Sequence, residues 1–475
     1  MKLWGGRFQP GSSDPEFERF SESFSVDQRL AAYDLQANVA YVRALARIGV
    51  LKGAEAARLE RVLKALQREV QTNPQWMQGQ QSEDVHTWVE GRLQARLGAL
   101  AGKLRTGRSR NDLVATGMRL YVRNAVRELL RAILDFQAAL ISQARAHASA
   151  VMPGYTHLQP AQPILFAHYL LAYFEMLGRD AARLQDAARR AEELPMGAGA
   201  LAGTAFSIDR ERLARDLGFA RAARNSLDVT SDRDFVAELL FACSLTLVHL
   251  SRLAEDLVIF SNPSLGFVEI SDLYSTGSSL MPQKKNADSM ELIRGKAAGG
   301  IGRLTALLTL LKGLPMAYDR DLQEDKNYLF ESVDTTRNAL AIAARVVATL
   351  GVNEERMKAA AAVGYLTATD VADELVRLGV PFAKAHEKVG RLVRYCADHK
   401  LTFAGLSDAE ARKMIPDWSP RLRALATRPE LALKLRNVVG GTAPRQVRRQ
   451  LAAAERAVQA RQRAMAREGR HAAAR

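Results

Sequence analysis

Three short stretches concentrate the side chains able to do chemistry. The densest is Ser275-Thr-Gly-Ser-Ser-Leu-Met-Pro-Gln-Lys-Lys-Asn-Ala-Asp288. Gly277, Ser278, Ser279 and Pro282 describe a hydroxyl-bearing turn, with Lys284, Lys285 and Asn286 just ahead of a helical run. A serine this near a lysine suits two chemistries. It is a nucleophile for acyl transfer, or a base whose alkoxide is stabilised by Lys284 and backbone amides. A plain Gly/Ser linker with solvated lysines has the same composition. The second stretch, Met152-Pro-Gly-Tyr-Thr-His-Leu-Gln-Pro-Ala-Gln-Pro163, carries Thr156, His157, Gln159 and Gln162 on a path fixed by prolines and a glycine. A lone histidine is more often structural, but a rigid connection between helices can hold one as a proton carrier. The third, Thr106-Gly-Arg-Ser-Arg-Asn-Asp112, opens a helix. Its Ser109, Asn111 and Asp112 cap that helix, or its arginines and orphan amides form an anion site.

The elements that must position these stretches are long helices. Asn111 to about Ser149 places Val114, Met118, Val122, Val126, Leu129 or Leu130, Ile133 and Leu140 at helical intervals. Similar runs span Ile164 to about Glu193, about Asp232 to Phe260, about Ala287 to Leu311 and about Asp321 to Leu350. Apolar residues around so much of each circumference require a large bundle and suggest partners from other subunits. No alternation of strands with helices supports a parallel α/β sheet. Composition sets three segments: shorter helices over 1–110, the long-helix bundle over 111–361, and shorter helices with a basic tail over 362–475.

The 475 residues are 48% apolar and 25% charged, which excludes disorder, collagen and a disulfide scaffold as overall descriptions. Cys243 and Cys396 make no metal cluster. The start of the chain lacks the apolar core of a signal peptide, and the apolar stretch Glu238 to Phe260 carries His249, Arg252, Glu255 and Asp256. A cytoplasmic protein without a membrane span is expected. The net charge is +15, and from Arg445 onward nine arginines face two glutamates. A solvated helical face is the preferred reading of that tail over a nucleic-acid partner, and the remaining charge suits an acidic small-molecule substrate.

Together the three stretches identify a family. The first, from Ser275 to Asp288, resembles the G-S-S-x-M-P-x-K-x-N signature of the fumarase/aspartase superfamily. Lys2-Leu-Trp-Gly-Gly-Arg-Phe8, Ser82-Glu-Asp-Val-His86, Thr106 to Asp112, Gly154 to Pro163 and Asp321-Leu-Gln-Glu-Asp-Lys326 narrow the resemblance to the argininosuccinate lyase family. One departure is Ala287, where that family usually has proline; a helix start tolerates either.

The resemblance implies an all-α, three-domain, elongated subunit whose central helices form the twenty-helix core of a homotetramer, with each active site shared between three subunits. It implies reversible cleavage of argininosuccinate to arginine and fumarate, with no metal and no organic cofactor. Ser278 is then the base, with Lys284 and Asn286 stabilising the carboxylate that gains charge. His157 is the second catalytic residue, paired with Glu291, and which group acts as acid stays open. Binding carries over to Ser23, Asn111, Thr156, Asn286, Tyr318, Gln323 and Lys326, and more weakly to Asp84, His86, Arg110 and Arg233. A bundle roughly 50 Å long cannot gather residues so distributed at one point within one chain. The alternative is a sister lyase of the superfamily acting on another succinyl adduct.

Overall fold

The computed structural model describes residues 14–473, so the Lys2–Phe8 block lies outside the described residues. The chain divides into two compact units. One takes residues up to 130, 180–246 and 298–337; the other takes 131–179, 247–297 and 338 onward.

In the first unit, α1 (Ala31–Arg47) and α2 (Gly53–Thr72) pack against each other. The turn between them uses Gly49 at φ 77°, a left-handed conformation that glycine adopts without steric cost. Leu59, Leu63, Leu66 and Val70 recur every three or four residues along α2 and are its buried side chains. Each such leucine contributes roughly 2 kcal/mol by leaving water. Helix α3 (Val85–Leu97) starts at Asp84, whose carboxylate accepts from the Thr87 N–H and fixes this end of the helix.

The long helix α4 (Arg110–Ala146) buries the predicted stripe of Val114, Met118, Val122, Val126, Leu129, Ile133 and Leu140. Where the sequence predicts a rigid loop, a two-stranded hairpin follows it. Strands β1 (Val151–Thr156) and β2 (Gln159–Leu165) pair antiparallel, with Pro153 opposite Pro163. Proline fixes φ near the extended range, so the same residues that excluded helix favour a two-stranded ribbon. Helices α5 (Phe166–Arg190) and α6 (Asp234–Ser261) come next. Helix α6 is long and apolar enough to cross a membrane by length and composition. Its Phe235, Val236, Leu239, Leu240 and Cys243 are instead buried in the protein, and Asp256 accepts from the Tyr169 and Tyr173 hydroxyls.

Two-residue strands β3 (Thr276–Gly277) and β4 (Lys285–Asn286) close the serine loop just before α7 (Asp288–Leu311). Helix α8 (Asp325–Ala348) completes the long set. In each case the helix begins and ends within about four residues of its predicted run. The C-terminal part of the second unit has its own core, where α9 (Ala368–Arg377) packs on α10 (Phe382–Asp398) around Val371, Leu375, Val389, Leu392, Phe403 and Trp418. Helix α11 (Pro444–Ala473) ends the described chain. Every sheet among the described residues has two strands, so helices dominate the described chain.

Candidate active site

The serine loop is organised around one oxygen. The backbone N–H groups of Leu280 and Met281 both point at Ser278 Oγ, at 3.2 and 3.1 Å. Two donors aimed at a hydroxyl oxygen favour its deprotonated form. The ladder between Thr276–Gly277 and Lys285–Asn286 holds the ends of the loop together, and the Lys284 N–H donates to the Met281 carbonyl at 3.1 Å. Neighbouring lysines have different roles. Lys285 Nζ bridges Glu269 at 2.9 Å and Asp272 at 2.6 Å, and those carboxylates hold its pKa above the ordinary lysine value. Lys284 is exposed and its ammonium makes no ion pair among the described residues. Asn286 Nδ2 donates to the Gly277 carbonyl at 3.4 Å. Ala287 stands just before α7, where its backbone carbonyl accepts from the Met290 and Glu291 N–H groups, bonds that either alanine or proline can accept because both keep the carbonyl.

His157 sits at the tip of the β1–β2 hairpin. His157 and Leu158 are the two turn residues, with φ of 54° and 59°. Left-handed conformation at both positions is what a two-residue turn between right-twisted strands requires, and it normally selects Asn-Gly. Holding a histidine and a leucine there costs on the order of 1 kcal/mol each. Thr156, His157 and Leu158 are all exposed, Leu158 to 77%. Glu291, in the first turn of α7, is also exposed, and its charge acts on Arg294. Among the described residues no hydrogen bond joins His157 to Glu291 within a chain.

The other candidate residues gather in the first unit around buried carboxylates. Asp27 accepts from Ser23 Oγ at 2.8 Å and from the Val85 N–H at 2.9 Å, tying Ser23 to the start of α3. Arg110 Nη1 donates to Asp84 at 2.6 Å and to Glu83 at 3.2 Å. Burial would raise the Asp84 carboxyl, but the charges of His86 and Arg110 outweigh it and hold it below the usual range. His86 pairs through Nδ1 with Asp34. Burial opposes its charge, and the three nearby carboxylates of Asp34, Asp84 and Asp27 prevail, so its pKa is raised. Its Nε2 is buried without a hydrogen bond among the described residues.

Arg233, 1% exposed, meets Asp325, and Lys326 Nζ lies 3.0 Å from the same carboxylate. Tyr318 is partly buried close enough to feel the charges of Arg233 and Asp325, and burial raises its pKa. Gln323 and Arg320 both donate to the Ser21 carbonyl, at 3.3 and 2.7 Å, fixing the chain two residues before Ser23.

Asn111 approaches the Ala200 carbonyl at 3.4 Å, and Asp112 explains why that loop is there. One Asp112 oxygen accepts from Gly197 and Gly199 N–H, both at 2.9 Å, and the other from Ser109 N–H at 3.1 Å. Two glycines are sterically required. A Cβ on Gly107 would lie 2.7 Å from Phe206, and one on Gly199 would lie 2.5 Å from the Gly203 carbonyl oxygen. The two loops border a cleft of about 520 Å³ lined by His86, Glu90, Arg105, Arg108, Ser109 and Arg110. Its volume suits a small ligand, and its side chains favour an anionic one.

The buried carboxylates set a pH dependence. Burial pushes Asp27 up to about 7 and Asp112 up to about 6, from 3.8. A group whose pKa is raised on folding contributes stability at low pH and loses it as pH rises through the folded value. The raised His86 acts in the same direction. Thermal stability of the wild type is therefore expected to fall from pH 5 to pH 8, by on the order of 1–3 kcal/mol for Asp27. Asp27→Asn should flatten that slope in calorimetric scans across pH. Parallel curves for variant and wild type would remove Asp27 as the cause.

The lyase family profile matches residues 6–302, and the profile for the argininosuccinate lyase C-terminal region matches residues 365–435. The argininosuccinate lyase of Acidothermus cellulolyticus is 49% identical over 462 residues, covering 96% of this chain and 94% of that one. This chain belongs to the argininosuccinate lyase family. The argininosuccinate lyase of Chloroflexus aurantiacus is likewise 49% identical, covering 95% of this chain and 97% of its own. Among solved structures, an EDDS lyase in complex with formate superposes with a TM-score of 0.83 at 28% identity, covering 97% of this chain and 93% of that one. A class II fumarase of Schistosoma mansoni shares the fold, with a TM-score of 0.72 at 15% identity over 87% of this chain and 92% of that one.

Family motifs pointed to residues that would meet a ligand and passed over those that hold them. Asp27, Asp34, Asp112 and Asp325 orient Ser23, His86, the Asn111 loop and the Arg233–Lys326 pair. A signal was available for two of them. Asp112 and Asp325 lie inside quoted motifs, and each turned out to be fully buried. Asp27 and Asp34 carried only the weaker cue of a carboxylate on an otherwise apolar helical face.

Proposed function

We propose that this chain cleaves argininosuccinate reversibly into arginine and fumarate, with Ser278 as the base. The identity to argininosuccinate lyases over nearly the whole chain supports the reaction. The observation that carries the chemistry is Ser278 Oγ facing two backbone N–H groups in a loop that also bears Lys284. Ser278 as alkoxide takes the proton from the carbon next to a substrate carboxylate. The electron pair moves into that carboxylate, giving a doubly charged aci-carboxylate. Lys284 and Asn286 stabilise the new charge. The carbon–nitrogen bond then breaks, the double bond of fumarate forms, and the guanidinium group leaves with a proton from an acid that includes His157 among its candidates. Serine is a weak base in water, so the loop closes on substrate before the step. A variant of the EDDS lyase was solved with fumarate bound, which fits a shared product class.

The binding roles follow the chemistry of the ligand. Asn111, Thr156, Lys326 and His86 donate to carboxylates, and the orphan Nε2 of His86 is such a donor. Ser23, Tyr318 and Gln323 hold the amino-acid end, while Asp84 and Arg110 support that wall of the site and Arg233 aligns Asp325 with Lys326. In a single chain Thr156 and His157 stand exposed at a hairpin tip with no site wall around them. We assign the missing wall to other subunits of a homotetramer, with Glu291 meeting His157 there.

Two experiments test this. A panel of argininosuccinate, adenylosuccinate, aspartate and malate, followed by fumarate absorbance, should show turnover of argininosuccinate alone. Turnover of another adduct without argininosuccinate would assign the protein to a sister lyase. For the shared site, His157→Asn removes the imidazole and keeps the left-handed turn, which asparagine tolerates. Mixed with Ser278→Ala under subunit exchange, it should regain part of the wild-type activity. Proven exchange without recovery would count against sites built from several chains.

A further inference from the structure

Helix α11 divides its residues by face with little overlap. Val447, Leu451, Ala454 and Val458 are buried, within about 60° of one another around the axis. Arg445, Arg449, Arg456, Arg463 and Arg467 are all exposed and fall within about 40° of one another on the opposite side. Arg448 is exposed about 60° to one side. From Arg445 to Arg467 the stripe is about 33 Å long. Among the described residues none of these six arginines has an ion-pair partner. Glu455 and Arg461 point elsewhere: Glu455 pairs with Arg145, and Arg461 donates to Gln137. Between the arginines lie Ala452, Gln459 and Ala460, so nothing bulky holds a partner away from the helix.

We infer that this arginine stripe of α11 is a docking strip for the phosphate backbone of a nucleic acid duplex. Guanidinium groups match phosphate with two parallel hydrogen bonds each. A straight row about 33 Å long spans close to one helical turn of a duplex. Residues 444–473 contain no Phe, Tyr or Trp, so the helix offers no platform for stacking unpaired bases, which argues against single strands. A membrane surface fits less well, because insertion needs an outward apolar face and the apolar face of α11 is already packed against the protein. Contacts of this kind carry no sequence information, so binding is independent of sequence.

Fluorescence anisotropy of a labelled 30-base-pair DNA duplex of mixed sequence, titrated with the full-length protein, tests the inference. Five phosphate contacts predict a salt slope near −4.5, hence about 500-fold weaker binding at 200 mM than at 50 mM salt. The variant with Arg445, Arg449, Arg456, Arg463 and Arg467 all changed to Gln should bind at least about 30-fold more weakly at 50 mM salt. Its turnover should be unchanged, since none of these residues belongs to the catalytic or binding set. A charge-matched control changes the exposed Arg58, Arg61, Arg68, Arg391 and Arg394 to Gln and should lose less than about threefold. Equal loss in both variants would assign binding to net charge and overturn the stripe. Equal affinity for a single strand of the same length would overturn the duplex. Tighter binding to phosphatidylserine vesicles than to the duplex would make the surface a membrane contact, and no binding at 50 mM salt would end the proposal.

Discussion

Ser278→Ala is expected to lower turnover by roughly 10²–10⁴-fold while the fold and most substrate affinity survive. The substitution removes one oxygen from an exposed loop whose ends are held by the ladder between β3 and β4, so little packing is lost. What disappears is the acceptor on which the Leu280 and Met281 amides converge. Because the base acts before the leaving group departs, exchange of the carbon-bound proton with solvent should fall in step with turnover. An enzyme that still exchanged that proton at the parent rate would move the base elsewhere, with His157 the first candidate. The nucleophile reading makes a separate demand, a covalent acyl-serine on quenching. Mass spectrometry of the quenched protein should find none. Ser279→Ala is the milder change, since no backbone amide is aimed at its hydroxyl among the described residues.

Lys284→Met is expected to cost at least about 3 kcal/mol of barrier, on the scale of losing an oxyanion donor. The ammonium makes no ion pair among the described residues, which leaves it available to a carboxylate that gains charge. Lys285→Met is the internal control, and the structure sharpens it. Lys285 already bridges Glu269 and Asp272, so its loss should loosen the loop and reduce turnover less than about tenfold. Comparable losses in both variants, measured as kcat on argininosuccinate, would mean that loop order rather than a specific charge is at stake. Near-normal turnover by Lys284→Met would leave Lys284 merely solvated.

The long helices were legible because each repeats its apolar residues at helical intervals for six or more turns. The stripe from Val114 to Leu140 in α4 was read position by position and is buried position by position. Over such lengths the helical period outweighs any local ambiguity. The hairpin was not legible as strands. Its proline-rich sequence matches no alternating pattern, and pairing arises only when Val151–Thr156 meets Gln159–Leu165. The reactive residues were legible as types at motif spacings: a serine beside a lysine, a histidine in a proline-braced segment, arginines at a helix start.

Sequence by itself thus determined the helical class, the family and the list of groups that could do the chemistry. All of these are local, depending on residue type, helical period and short-range spacing. Only the tertiary structure decided which of two adjacent lysines is held in ion pairs, which amides face Ser278, and which carboxylates stand behind Ser23, His86 and Asn111. It also revealed that five arginines of α11 share one face and have no ion-pair partner among the described residues. Those outcomes depend on groups far apart in the chain, such as Asp34 with His86, or Asp112 with Gly197 and Gly199. Whether a carboxylate is buried and its pKa raised, or an arginine stays in water, depends on what packs beside it, and residue spacing along the sequence does not encode that neighbour.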